Sequence, residues 1–380
     1  MCALLLAVVL LYGFNNGRFD FLQNKTQKQV AVQSEEEKIK RTDYTEVARK
    51  TLDWIDKQRN EDGWYILERG CDYEKKTCDI VWDNKEGNKD GLIATWARLN
   101  FYEQHKDPKD LEIVKKDIDI FYEKYKDDNL KDSLWICKIT YEMAQSKYLE
   151  QGQKDKLKEL CMNYKTMSIE EVVNYWMGED IKIVDKNLTG KNRLIDDWGS
   201  YVELVSSYDP SLTGLTNLVY RYLWLGGKDD KDLAEEYLKL FDEVYGKNFE
   251  IEKNEGFFNH KRRYPDDVCL MVYSSLDWFR LVAKDNKSIE VLANKYGKYT
   301  DKSIDNNDIL TPICGLVDKK FLEILMDKIF LSNLESNNNF LIANFKNNYD
   351  DGFFILSRKN REVSIKNIVE NALMVDLLKN

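Results

Sequence analysis

Asn60-Glu61-Asp62-Gly63-Trp64-Tyr65, Asn254-Glu255-Gly256-Phe257-Phe258 and Asp350-Asp351-Gly352-Phe353-Phe354 repeat one signal: a polar turn that ends in Gly and runs straight into two aromatic residues. Gly serves where φ turns positive, Asn or Asp closes the bend with a side-chain oxygen, and adjacent aromatics put one ring on each side of a short extended segment. Recurrence of such a turn marks a chain assembled from repeated supersecondary units. In repeat architectures the face that carries the turns is commonly the binding face.

Outward from the first turn the pattern is helical. Asp43 can cap a helix with Glu46 three residues on, and Tyr44, Val47, Ala48, Thr51, Trp54, Ile55 and Gln58 then follow one face. Leu111, Val114, Ile118, Phe121, Tyr122 and Tyr125 form a second one-sided stripe, and Leu233, Ala234, Tyr237, Leu238, Phe241 and Val244 a third. Other runs are apolar all round: Leu134 to Cys137, Leu218 to Leu225, and Val268 to Tyr273. A helix that is hydrophobic on every side must be enclosed by others. Alternation of the two kinds, joined by short polar turns, predicts two concentric layers of antiparallel helical hairpins over residues 43–380. The expected fold is all-α, an α/α toroid of about six hairpins, with a few short strands at one mouth where the Gly-aromatic segments lie. Gly226-Gly227 reads as a helix end.

The stretch Leu52-Asp53-Trp54-Ile55-Asp56-Lys57-Gln58-Arg59-Asn60-Glu61-Asp62-Gly63-Trp64 resembles the repeat of the prenyltransferase and squalene-cyclase toroids, in which Gln precedes an Asp-Gly turn and an aromatic. Similar turns occur in six-hairpin glycosidases. Both resemblances imply the toroid. The Asp-x-Asp-Asp motif of the class II cyclases is missing and only two His are present, so cyclase or zinc-dependent prenyltransferase chemistry is not implied.

A net charge of -10 argues against a nucleic-acid groove, which needs clustered Lys and Arg, and fits a neutral or sugar-like partner better. With two His, His105 and His260, a multi-His metal centre is not expected. Carboxylates would still suit a hard cation such as calcium, and no cofactor is expected. The apolar run over residues 1–14 has the length of a signal h-region and reads as an export signal or membrane anchor. Residues 15–42 are polar and read as a solvated tether, so the globular domain is expected outside the cytoplasm, free or tethered to a membrane. Among seven Cys, Cys137, Cys269 and Cys314 read as single small core residues. Cys71 and Cys78 lie in a polar loop where a disulfide would close a hairpin in an exported protein.

Paired acids fall where inner helices should begin: Asp196-Asp197-Trp198, Asp266-Asp267 after Pro265, and Asp350-Asp351. Trp82-Asp83 and Asp90 lie in the loop that enters a helix at Leu92. Glycoside hydrolysis needs one protonated and one ionised carboxyl across a sugar, with aromatics to stack on it. Asp196 and Asp197 are the candidate catalytic pair, with Trp64, Trp198 and Tyr201 as candidate substrate contacts. Consecutive aspartates before an aromatic resemble the catalytic pair of the endo-α-mannanase toroids. Helix capping is the competing role for each of these acids. His260, Arg263 and Tyr264 supply the residue types that a polysaccharide lyase or uronate epimerase uses, and equally those of a basic surface loop. The expected protein is thus a glycan-acting enzyme, most simply a glycoside hydrolase. The alternatives are lyase or epimerase action, or a non-catalytic toroid that binds glycan, lipid or protein through an aromatic-lined mouth.

Overall fold

In the computed structural model of the chain, the first stripe is a helix. It spans Thr45–Asp56 (α1) and buries Ala48, Thr51, Leu52, Trp54 and Ile55. The capping position is Tyr44 and not Asp43, and its carbonyl takes the Ala48 N–H at 3.0 Å. The structure describes residues 43–60, 62–65, 68–72, 77–82, 89–130, 133–172, 210–245, 265–305, 312–325, 328–345, 355–356 and 363–379.

Eleven further helices follow among these residues: α2 (Leu92–His105), α3 (Pro108–Tyr125), α4 (Ile136–Ala144), α5 (Gln151–Met162), α6 (Pro210–Leu225), α7 (Lys228–Tyr245), α8 (Pro265–Asp277), α9 (Asn286–Asp305), α10 (Pro312–Leu325), α11 (Lys328–Phe345) and α12 (Ile368–Leu378). A π-helical turn, Trp278–Ala283, prolongs α8. All four prolines of the chain, Pro108, Pro210, Pro265 and Pro312, open a helix, where a fixed φ helps and the missing N–H costs nothing. Gly226 ends α6 at φ 73°, as its sequence context predicts.

The even-numbered helices are the apolar ones. Leu92 to Leu99 are all buried, as are Leu212 to Tyr220, Val268 to Trp278 and Pro312 to Asp318. Helix α2 packs on α4, α4 on α6, α6 on α8, α8 on α10, α10 on α12, and α12 returns to α2. That circuit is a closed inner ring. Helices α3, α5, α7, α9 and α11 each pack on the inner helix before them, while α1 packs on α12. The sixth hairpin is therefore made by the two ends of the domain. Inner helices lead to outer ones through short connections such as 106–107, 226–227 and 284–285, which leave room only for reversal of direction. All inner helices consequently point the same way, and their N-termini share one end of the ring. The α/α toroid is the fold.

A four-stranded antiparallel sheet, in the order β2-β1-β4-β3, joins β1 (Glu68–Asp72), β2 (Thr77–Trp82), β3 (Ile355–Leu356) and β4 (Val363–Asn367). Gly70 pairs with Ile80 across the β1–β2 hairpin, and Cys71 pairs with Ser364 of β4. Because β4 runs directly into α12, the sheet lies at the N-terminal end of the inner helices.

Two disulfides correct the reading of the interior cysteines. Cys137 of α4 is bonded to Cys161 of α5 with Cα atoms 4.7 Å apart, and Cys269 of α8 to Cys314 of α10 with 5.1 Å. All four are buried, as small core residues should be. Adjacent ring helices bring residues distant in sequence to bonding distance, which helical periodicity cannot reveal.

Candidate functional site

The first Gly-aromatic turn forms as its residues dictate. Gly63 has φ 78°, and the side-chain oxygen of Asn60 accepts the Trp64 N–H at 2.8 Å. Its aromatics do not face a ligand. Trp64 is fully buried, with its indole packed on Tyr65 and Phe121 and directly against Gly91. The Tyr65 hydroxyl donates to Asp117 at 2.6 Å, and the Arg59 guanidinium lies 4.1 Å from the Tyr65 ring centroid. Arg59 in turn grips Asp117 through both nitrogens, and Arg98 binds Asp110 and Asp56. Buried charges tolerated in this way, each with partners, lock α1, α2 and α3 together. The motif's aromatics therefore anchor the mouth from below, and Trp64 is a packing residue where substrate contact was expected.

Asp90 sits at the mouth, in the 3-10 turn Lys89–Gly91 that enters α2. Its carboxylate accepts the Leu134 N–H at 2.7 Å and so ties the start of α2 to the approach to α4. Immediately after that contact the backbone turns left-handed: Trp135 has φ 52° at the N-cap of α4. The indole is fully buried and stacks on Tyr273 of α8, with centroids 4.6 Å apart.

Below Trp135 and Tyr273 the ring axis is filled by paired charges inside an aromatic cage. Lys138 donates to Glu142 at 2.8 Å, and Glu142 also accepts from the Trp96 indole at 2.9 Å and the Tyr220 hydroxyl at 3.1 Å. The Lys138 ammonium lies 4.3 Å from the Trp96 centroid and 5.3 Å from that of Trp135. Lys320 of α10 pairs with Asp277 of α8, and its ammonium is 3.6 Å from the Tyr273 centroid. Burial pushes the Asp277 carboxyl up, with Lys320 opposing it, and burial pulls the Lys320 ammonium down. Burial, reinforced by the charges of Asp277 and Glu142, raises the Tyr220 and Tyr273 phenols well above their ordinary value, so both stay protonated, and Tyr220 donates to Glu142. Two acids are thus matched to two lysines within the cage. The column is a charge-balanced floor to the mouth rather than an acid and base pair.

Sequence reasoning missed this column. Its available signal was a charge inside a helix that is otherwise apolar all round: Lys138, Asp277 and Lys320 all stand in such runs. A charge there has only the axis or a neighbouring inner helix to face.

Of the other candidate residues, Asp266 and Asp267 occupy the first turn of α8, and Trp82 ends β2. Cys71 and Cys78 lie on the paired strands β1 and β2, with their side chains outside the described ones. Asp83, Asp196, Asp197, Trp198, Tyr201, His260, Arg263, Tyr264 and Asp351 lie outside the described residues, as do the other two Gly-aromatic turns and residues 1–42.

No family model matches the chain, and no curated protein matches it in sequence. Solved structures do. The Lin0763 protein from Listeria innocua superposes with a TM-score of 0.57 at 11% identity, over 89% of this chain and 97% of its own. A glycoside hydrolase family 76 mannosidase, Bt3792 of Bacteroides thetaiotaomicron, gives 0.53 at 10% identity, over 88% and 97%. The family 76 α-mannanase BT2949 of the same organism gives 0.50 at 10%, over 90% and 96%. These likenesses are of fold and run the length of both chains: the protein shares the α/α toroid of these structures.

Proposed function

We propose that the protein is a glycoside hydrolase that takes a glycan, most simply an α-mannan, at the N-terminal mouth of the toroid. The observation that carries this reading is the chain-length correspondence of fold with two family 76 glycoside hydrolases, one an α-mannanase and one a mannosidase. Asp196 and Asp197 are the proposed catalytic carboxylates. In sequence they lie between α5 and α6. Hydrolysis assigns one of them to protonate the departing glycosidic oxygen and the other to act as base or nucleophile. Trp198 and Tyr201 follow them closely enough to supply stacking surface. Asp83 and Asp351, with Asp266 and Asp267 of the first turn of α8, are further candidate sugar contacts. Export fits two disulfides in the interior, since such bonds persist where the surroundings are oxidising.

The test is the double substitution Asp196→Asn and Asp197→Asn, assayed for reducing ends released from α-mannan and a panel of other glycans. Turnover should fall by about two orders of magnitude or more. Circular dichroism should be unchanged, because Asn keeps most of the capping ability of Asp. Undiminished release of reducing ends would remove the pair from catalysis. Products carrying an unsaturated uronate would replace hydrolysis by elimination, and tight glycan binding without any turnover would leave a binding toroid.

A further inference from the structure

We propose that the rear end of the toroid, where the inner helices finish, carries a second carbohydrate site built on Glu142, Tyr141 and Trp224, separate from the mouth and beyond the hydrolase reading. The axis opens there within one helical turn. Trp96, Lys138, Tyr220 and Lys320 lie buried in the axial column, and the residues four positions on, on the same faces of α2, α4, α6 and α10, are Asn100, Glu142, Trp224 and Ile324. All four of these are half-buried, open to solvent in part. Four inner helices thus pass from core to surface around one axis, at the end opposite the mouth.

Glu142 stands in this opening with its side chain 33% exposed, yet it is held as a buried carboxylate would be. Donors from three inner helices fix it: the Lys138 ammonium at 2.8 Å, the Trp96 indole at 2.9 Å and the Tyr220 hydroxyl at 3.1 Å. Water would serve an ordinary surface glutamate. Oε2 takes two of these bonds and Oε1 takes one, which leaves acceptor capacity on Oε1. Aromatic surface adjoins it. The Tyr141 ring centroid lies 5.5 Å from that of Tyr220 and 5.6 Å from that of Trp224, so one connected set of rings runs from the hydroxyl that binds Glu142 out to the half-buried Tyr141 and Trp224.

The charges select the ligand. Lys138 cancels the charge of Glu142, so the pair has little net pull on a cation, and the Lys138 ammonium already occupies the place beside the Trp96 ring that a ligand cation would seek. An oriented acceptor next to apolar ring surface remains. A sugar matches both parts, with a hydroxyl to donate to Oε1 and a C–H face to lie against an aromatic.

The experiment is native electrophoresis of the full chain through gels that contain soluble α-mannan, paired with initial rates of cleavage of an α-linked mannotetraose. The wild type should be retarded by the mannan, and Trp224→Ala and Tyr141→Ala should each raise the apparent Kd about fivefold or more. Melting temperatures and mannotetraose rates should stay at their wild-type values, because neither ring lies at the mouth. A wild type that mannan does not retard, or unchanged retardation in both folded variants, overturns the rear site, and the rates then judge the hydrolase reading by themselves. Retardation that depends on Trp224 in a chain that cleaves nothing keeps the rear site and removes the hydrolase. Rates that fall in step with retardation would trace the effect to the mouth or to the fold and overturn the rear site as well.

Discussion

Gly91 opens α2 with room for a hydrogen and nothing larger. A Cβ there would come within 2.8 Å of the Trp64 ring, which is itself wedged against Tyr65 and Phe121 and has no free direction in which to move. Gly91→Ala should therefore destabilise the protein by about 1–3 kcal/mol, read as a fall in the urea midpoint at constant slope. The backbone at Gly91 is ordinary, with φ -58°, so the effect is one of packing and not of conformation. An unchanged midpoint would mean that Trp64 is not fixed in its slot. At this scale the turn around Gly63 was readable because positive φ and an Asn cap are local demands. That Trp64 faces inward was not, since a ring beside an exposed turn has two sides to choose from, and the packing of α2 and α3 chooses.

Single helices were legible wherever one face was wet. The stripes of α1, α3 and α7 needed only their own periodicity, and their buried residues match it. Partners between helices were not legible, and the disulfides show why: Cys137 and Cys161 lie 24 residues apart, Cys269 and Cys314 lie 45 apart, and only ring packing makes each pair neighbours. Peptide mapping after alkylation without reductant should find these four cysteines unlabelled and cross-linked. Removing either bond, as Cys137→Ser with Cys161→Ser or as Cys269→Ser with Cys314→Ser, should cost about 2–4 kcal/mol. Free thiols at all four positions in protein purified from its native compartment would refute the bonds. The same map decides the bond proposed between Cys71 and Cys78.

Closure of the ring depends on α12. Its Asp376 accepts from Asn100 of α2 at 2.8 Å and pairs with Lys379, while its backbone carbonyl takes Lys319 of α10 at 3.0 Å. Burial alone would raise the Asp376 carboxyl, yet Lys379 and Lys319 outweigh it and hold it below the usual carboxylate range. A folded-state value below the unfolded one contributes stability that is complete above the unfolded pKa of about 4 and is lost as pH falls through the folded value. Asp376→Asn should lower stability at neutral pH by about 2 kcal/mol or more and flatten the acid limb of the stability curve. An acid limb identical to that of the wild type would show that this carboxylate does not link ring closure to pH.

Two kinds of helix were written in the chain itself. Apolar stripes and all-round apolar runs alternate, and that alternation alone determines two layers of hairpins, because each run must bury whatever surface it cannot show to water. The polar turns and the short reversals between layers are equally local, set by Gly, Asn and Pro at positions that need particular backbone angles. Tertiary structure decided the rest. It joined α12 to α1 and α2 across the whole chain, it turned Trp64 into an anchor, and it set Lys138 and Lys320 on the axis opposite Glu142 and Asp277. Apart from the i,i+4 pair of Lys138 with Glu142, each of these outcomes depends on contacts between residues far apart in sequence. Periodicity says which face of a helix is buried, and only the closed ring says what that face meets.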